Sequence, residues 1–222
     1  MIRVSLDRPW LVADLPRPMR VTSWAPHRPG LVETNQIVWR EVRDEDLGPG
    51  FDAEGWLGAA MAARGWAGAV GLLTSRDLSA YHLAQAAAGG VRAACLATVG
   101  LGNAESVGRR IGTAPHVGTV NIAVAVDAAL TPAAQLEALS IAVEARTAAI
   151  MAHGPDLPTG RATGTGTDCV ALACDPGEGR YAGLHTAAGE AVGAAVLAAV
   201  AEGVRAWLKV KADDALMAAR PA

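Results

Sequence analysis

The run Gly118-Thr119-Val120-Asn121-Ile122-Ala123-Val124-Ala125-Val126-Asp127 constrains the fold more than any other stretch. Its alternation reads as a strand with Val120, Ile122, Val124 and Val126 on one face and Thr119, Asn121, Ala123 and Ala125 on the other. Close behind it, Thr131-Pro132 supplies an N-cap hydroxyl and then a residue suited to the first helical position. The helix predicted from there runs to about His153, with Leu136, Leu139, Val143, Thr147 and Ile150 as its apolar stripe. On a helical wheel Arg146 lies about 60° from the centre of that stripe and Glu144 about 100° away, so Arg146 can reach inward while Glu144 faces out. A strand feeding a long helix calls for a layered α/β arrangement.

The other segments fit the same plan. Arg20–Trp24 and Asn35–Val42 form an N-terminal strand pair, joined by an irregular loop that carries Pro26, His27, Arg28, Pro29 and Gly30. His27 and Arg28 offer contacts to a ligand, or they decorate a solvated loop. The charged run Arg43-Asp44-Glu45-Asp46 reads as a solvent-facing turn. A helix is expected from Asp52 to Arg64, a strand over Gly68–Thr74, a helix over Leu78–Ala88 closed by Gly89-Gly90, and a strand over Ala93–Val99. Glu105–His116 is polar and loop-like, with Arg109 and Arg110 adjacent. A buried strand, Val170–Cys174, precedes a final helix carrying Val192, Val196, Val200, Val204 and Trp207, and the tail from Lys209 to Ala222 is expected to fray. With no repeat and no dividing linker, residues 1–222 are expected to form a single domain: a mixed β-sheet flanked by helices.

Composition narrows the function classes. A chain of 222 residues can bury a sizeable core. Half of it is hydrophobic but only 4% aromatic, so the core packs through closely approaching backbones. A net charge of -3 gives no field that favours nucleic acid. The charged N-terminus lacks a signal-peptide core, and the longest uncharged apolar stretch, Ala191–Ala201, is too short to span a bilayer. A cytoplasmic protein without membrane or nucleic-acid partners is the expectation; assembly into a homo-oligomer stays open. Cys95, Cys169 and Cys174 form no Cys-x-x-Cys pair and read as small buried hydrophobes, with a catalytic thiol as the alternative.

The stretch Gly164-Thr165-Gly166-Thr167-Asp168-Cys169 concentrates chemistry at the edge of the Val170 strand. Two glycines allow close approach of a ligand to the main chain, three threonines (with Thr163) supply hydroxyls, and Asp168 adds a carboxylate. A plain glycine-rich turn has the same spacing. Asn103 ends a strand in a glycine-bearing loop, where either a ligand contact or a left-handed turn suits it. Asn121, on the small-residue face, needs partners for its amide, which favours a pocket wall. His185 and Glu190 flank the start of the last helix, where a carboxylate is favoured by the helix dipole in any case. None of these has metal-ligand spacing. No Gly-x-Ser-x-Gly elbow or phosphate-binding Gly-x-x-x-x-Gly-Lys loop occurs, and Gly164-x-Gly166 lacks the rest of a dinucleotide fingerprint.

One ordered series carries further information: Gly71-Leu72-Leu73-Thr74, Gly102-Asn103-Ala104, Gly118-Thr119-Val120-Asn121-Ile122, Glu144-Ala145-Arg146-Thr147-Ala148-Ala149, Ala162-Thr163-Gly164-Thr165-Gly166-Thr167-Asp168, and Tyr181-Ala182-Gly183-Leu184-His185-Thr186-Ala187-Ala188-Gly189-Glu190. Together, over roughly residues 20 to 208, it resembles the adenosylcobinamide amidohydrolase family of corrinoid salvage. The resemblance implies cleavage of the amide joining a corrin propionyl side chain to aminopropanol or its phosphate, with adenosylcobyric acid as product. The corrinoid is then the substrate, and the resemblance implies no metal or further cofactor. Arg146 stands where lysine is expected, Cys169 follows the aspartate where a small residue is usual, and Ser23–Gly30 follows the family only loosely. Acyl transfer to water needs a base, oxyanion donors and an acid for the departing amine. The resemblance suggests Asp168 or His185 as base with Glu190 orienting His185, and a substrate-binding set of Asn103, Thr119, Asn121, Arg146, Gly164, Thr165, Gly166 and Thr167. On this view Asp168→Asn abolishes aminopropanol release and leaves the protein folded. A corrinoid-binding module without hydrolysis, and an amidohydrolase for another amide, remain alternatives.

Overall fold

The computed structural model describes residues 1–43, 48, 50–110 and 118–218. The acidic turn at 44–46 and most of the polar segment beyond 110 lie outside the described residues, as do 219–222.

The strands are β1 (Arg3–Asp7), β2 (Trp10–Ser23), β3 (Gly30–Glu41), β4 (Val70–Thr74), β5 (Tyr81–Ala88), β6 (Val91–Val99), β7 (Ala104–Glu105), β8 (Val120–Leu130), β9 (Asp156–Leu157), β10 (Gly160–Arg161), β11 (Gly164–Thr165) and β12 (Cys169–Pro176); the helices are α1 (Ala53–Ala63), α2 (Pro132–His153) and α3 (Ala187–Ala218). Eight strands form one mixed sheet in the order β4-β3-β2-β12-β8-β6-β5, with β1 pairing antiparallel to the first half of β2. The expected strand pair is β2 and β3, antiparallel and longer than predicted. Two pairs are parallel, β3 with β4 and β12 with β8, and each is joined through a helix as parallel pairing requires.

The alternation of β8 decides the layering. Ile122, Val124 and Val126 pack with Val170 and Leu172 against α2 and α3, where Val192, Val196, Val200 and Val204 are fully buried. On the opposite face Ala94, Ala123, Ala125, Ala171 and Ala173 share a core with Leu11, Ile37, Trp39 and Leu72 of the N-terminal strands. Small residues on the central strands let the sheet curl until its two halves enclose that second core. Helix α1, capped by Asp52, covers the outer side of the N-terminal half through Leu57 and Met61.

Three expectations are corrected. Residues 78–88 are a short 3-10 turn, Leu78–Ala80, followed by β5, in place of a helix. Gly89 and Gly90 form the hairpin turn to β6, with φ of +52° and +85°, the pair of left-handed conformations that such two-residue turns demand. Pairing along the whole of β6 overrides the helical preference of the alanines, and Ala84, Ala86 and Ala88 pack inward. On α2 the buried face is Ala134, Ala138, Ile141, Ala142 and Ala149 with Ile150, while Leu136 is 57% exposed. Alanines fit because α2 lies close against α3 and β12. Finally, α3 continues to Ala218, past Lys209 where fraying was expected. Its segment Ala187–Asp214 is long and apolar enough to cross a membrane, but its valine face is spent on the sheet.

Candidate active site

The curled sheet opens where β8 and β12 begin and β6 ends. Thr98 of β6 pairs with Asn121 of β8, which pairs with Cys169 of β12, so the loops entering β8 and β12 meet there. Between them and the ends of β2 and β4 lies a cavity of about 470 Å³ lined by Trp24, Leu73, Thr74, Ser75, Asn103, Thr119, Asn121, Gly166, Thr167 and Asp168, among others.

Asp168 organises the wall. Its Oδ1 accepts from the Val120 N–H at 2.9 Å and from the Thr165 hydroxyl at 2.5 Å. Its Oδ2 accepts from the Thr165 N–H at 2.9 Å and pairs with Arg146 Nη1 at 3.1 Å. Four donors occupy the roughly four lone-pair sites of a carboxylate. The side chains of Asp168 and Arg146 are only 6% and 12% exposed, so the pair is buried. A Cβ at Gly164 would lie 2.6 Å from Asp168 Oδ2, which is why glycine is needed for the carboxylate to fold back on its own loop. Arg146 reaches inward from α2 as the wheel predicts, and Glu144 is exposed.

Among the described residues the remaining wall is neutral. Asn121, 1% exposed, donates through Nδ2 to the Leu73 carbonyl at 2.6 Å and accepts from Thr119 at 3.2 Å, tying edge strand β4 to β8. The Thr119 hydroxyl also lies 2.8 Å from the Thr167 carbonyl, and the Thr167 hydroxyl donates to the Gly118 carbonyl at 2.8 Å. Asn103 reaches Thr167 with its Nδ2 at 3.5 Å, while among the described residues its buried Oδ1 has no hydrogen-bond donor. Trp24, half exposed at the rim, donates to the Asp168 carbonyl at 2.7 Å. Burial pushes the Cys169 thiol up to about 12, so it stays protonated near neutral pH and does not serve as a thiolate.

The structure thus brings Asn103, Thr119, Asn121, Arg146, Gly164, Thr165, Gly166, Thr167 and Asp168 together. It does not bring His185 and Glu190 to them. Asp168 precedes β12, whereas His185 and Glu190 follow its far end, and eight strand residues at about 3.3 Å each separate the two ends by about 25 Å. Ala187, beside them, packs on the Gly89 hairpin at the end of β6 remote from Thr98. Both side chains are exposed. His27 and Arg28 hold the Ala67 and Gly68 carbonyls. Sequence reasoning missed Trp24 and Ser75 as lining residues; the one available signal was their position just beyond strand ends. Among the described residues no group of three or more His, Cys, Asp or Glu is placed to hold a metal.

Fold and cavity together define a mixed α/β protein with a pocket at the ends of its central strands, whose charged lining among the described residues is Asp168, paired behind the wall with Arg146. The adenosylcobinamide amidohydrolase family model matches residues 2–212, and the chain belongs to that family. The match extends well beyond the 20–208 expected from motifs. No curated protein matches the chain. Among solved structures it is similar to the PH0078 protein from Pyrococcus horikoshii OT3, at 10% identity and a TM-score of 0.46, over 90% of this chain and 76% of that one.

Proposed function

We propose that this protein hydrolyses the amide of adenosylcobinamide, or of its phosphate, to adenosylcobyric acid and aminopropanol or aminopropanol phosphate. The observation that carries the reading is the Asn103 Oδ1, without a donor among the described residues, in a cavity lined by Gly166, Thr167 and Asp168. A buried acceptor without a donor is costly, and the N–H of a substrate amide relieves it. A cavity of about 470 Å³ admits the amide-bearing arm while the macrocycle rests outside against Trp24.

In this reading Asn121 uses one amide proton on Leu73, and its second, with the Gly166 main chain, serves the carbonyl oxygen as it becomes an oxyanion. Asp168 is first a clamp on the loop. It accepts the proton of the attacking water when the Thr165 hydroxyl, the one freely rotating donor of the four, turns away. The proton then passes to the departing amine. His185 and Glu190 have no part in the step.

Purified protein incubated with adenosylcobinamide, its phosphate and a panel of unrelated amides, followed by mass spectrometry, tests this. Adenosylcobyric acid and the amino alcohol are the expected products. Corrinoid recovered unchanged after long incubation would leave a binding module, and cleavage confined to another amide would move the substrate class.

A further inference from the structure

We propose that a second cavity, beside the amide pocket, is an anion subsite that receives the phosphoryl group of a phosphorylated substrate. The assignment rests on the amide reading above for what occupies the neighbouring pocket. The cavity, about 550 Å³, lies between the ends of β4 and β6 and the last turns of α3, and it shares Ser75 and Gly118 with the amide pocket. Among the described residues its charged walls are Arg76, Lys211 and Asp214, with Trp207 as an aromatic side.

Arg76 is the decisive group. Among the described residues its guanidinium has no hydrogen-bond or ion-pair partner, and its buried Nε is unsatisfied. The neighbouring Asp77 is committed elsewhere, to Arg8 at 3.1 Å and to the Ser79 N–H and hydroxyl. Burial accordingly pulls the Arg76 pKa down from its ordinary value, with only a smaller opposing effect from Asp77. A guanidinium half withdrawn from water without an anion is an expensive arrangement, and its planar fork matches phosphate oxygens. Across the cavity, Lys211 also lines the wall and is held only loosely by Asp214, at 3.9 Å, on a flexible four-carbon stem. Two cations facing one carboxylate leave the walls net positive. Because the two cavities share Ser75 and Gly118 as lining residues and so lie side by side, an amide bound in one places a short phosphorylated amino-alcohol arm toward the other.

The test compares KM for adenosylcobinamide phosphate with KM for adenosylcobinamide, in the full chain and in Arg76→Met, Arg76→Lys and Lys211→Ala. Calorimetric titration with inorganic phosphate runs alongside. The KM ratio of phosphorylated to unphosphorylated substrate is expected to shift against the phosphorylated one by about tenfold or more in Arg76→Met and less in Arg76→Lys, the scale of a lost hydrogen bond to a charged group. An unchanged ratio with unchanged phosphate binding overturns the subsite. An unchanged ratio with phosphate binding lost in Arg76→Met overturns the substrate's own phosphoryl as occupant and leaves free phosphate. If neither corrinoid is cleaved yet Arg76-dependent phosphate binding persists, the amidohydrolase reading fails and the anion site stands.

Discussion

Asp168→Asn separates a clamp from a solvent-facing base. Asparagine can keep the Val120 N–H and the Thr165 hydroxyl on its oxygen, but its amide nitrogen would then face the Thr165 N–H and Arg146, two donors against a donor. Arg146 would also be left charged at 12% exposure, too deep for solvent to screen. Breaking a buried pair by removing one partner costs about 3–5 kcal/mol. At about 2–4 °C per kcal/mol for a chain of this size, the Tm should fall by about 6–20 °C. Urea denaturation of Asp168→Asn, Arg146→Met and the double variant checks this. The double variant should lose less than the sum of the singles, by about 1.5–3 kcal/mol, because the charged hydrogen bond is lost only once. Asp168→Asn unfolding within about 1 kcal/mol of the parent chain, with no coupling to Arg146, would refute the clamp. The variant is expected to stay folded but less stable, because the structure gives Asp168 four intramolecular donors, so any loss of turnover must be measured below its lowered Tm.

Other outcomes follow from single contacts. Asn103→Ala should lower kcat/KM by about tenfold or more, the scale of one lost hydrogen bond in the transition state, with the unfolding midpoint held. His185→Ala and Glu190→Gln should change kcat/KM by less than about twofold, since both stand at the far end of β12; a loss beyond about a hundredfold would return them to the mechanism. Burial raises the Cys169 thiol from 9.0 to about 12, so between those values the folded chain keeps a proton that the unfolded chain has lost. Stability should accordingly fall as pH rises from about 9 toward about 12, visible as a declining urea midpoint that Cys169→Ala makes shallower, the buried Cys95 and Cys174 thiols, also raised, accounting for the remainder. Gly89→Ala should destabilise more than Gly90→Ala, because the new methyl meets Ala187 Cβ at 2.8 Å in the first and open space in the second, although both share the left-handed penalty of about 1 kcal/mol.

Local signals in the sequence were enough for several elements. The β8 alternation and the Thr131-Pro132 start of α2 are correct because a pleat and a helix cap depend on residues within a few positions of one another. The valine stripe of α3 is legible for the same reason, and Arg146 was placed by angle alone on the face where it proves to meet Asp168. What the chain could not reveal by itself depends on partners distant in sequence. Residues 81–88 become a strand because β6 offers them a full ladder of hydrogen bonds, a gain that alanine's helical preference does not match. The leucines of α2 lose the buried face to alanines because the spacing to α3 and the sheet is set by backbones packed close together. His185 and Glu190 look adjacent to the glycine-threonine loop in the ordered motifs, yet a strand and a turn carry them to the other end of the sheet. The composition of the Gly164–Asp168 loop is written in the chain; which of its groups remain free for a ligand was decided only when Val120, Thr165 and Arg146 closed on the carboxylate.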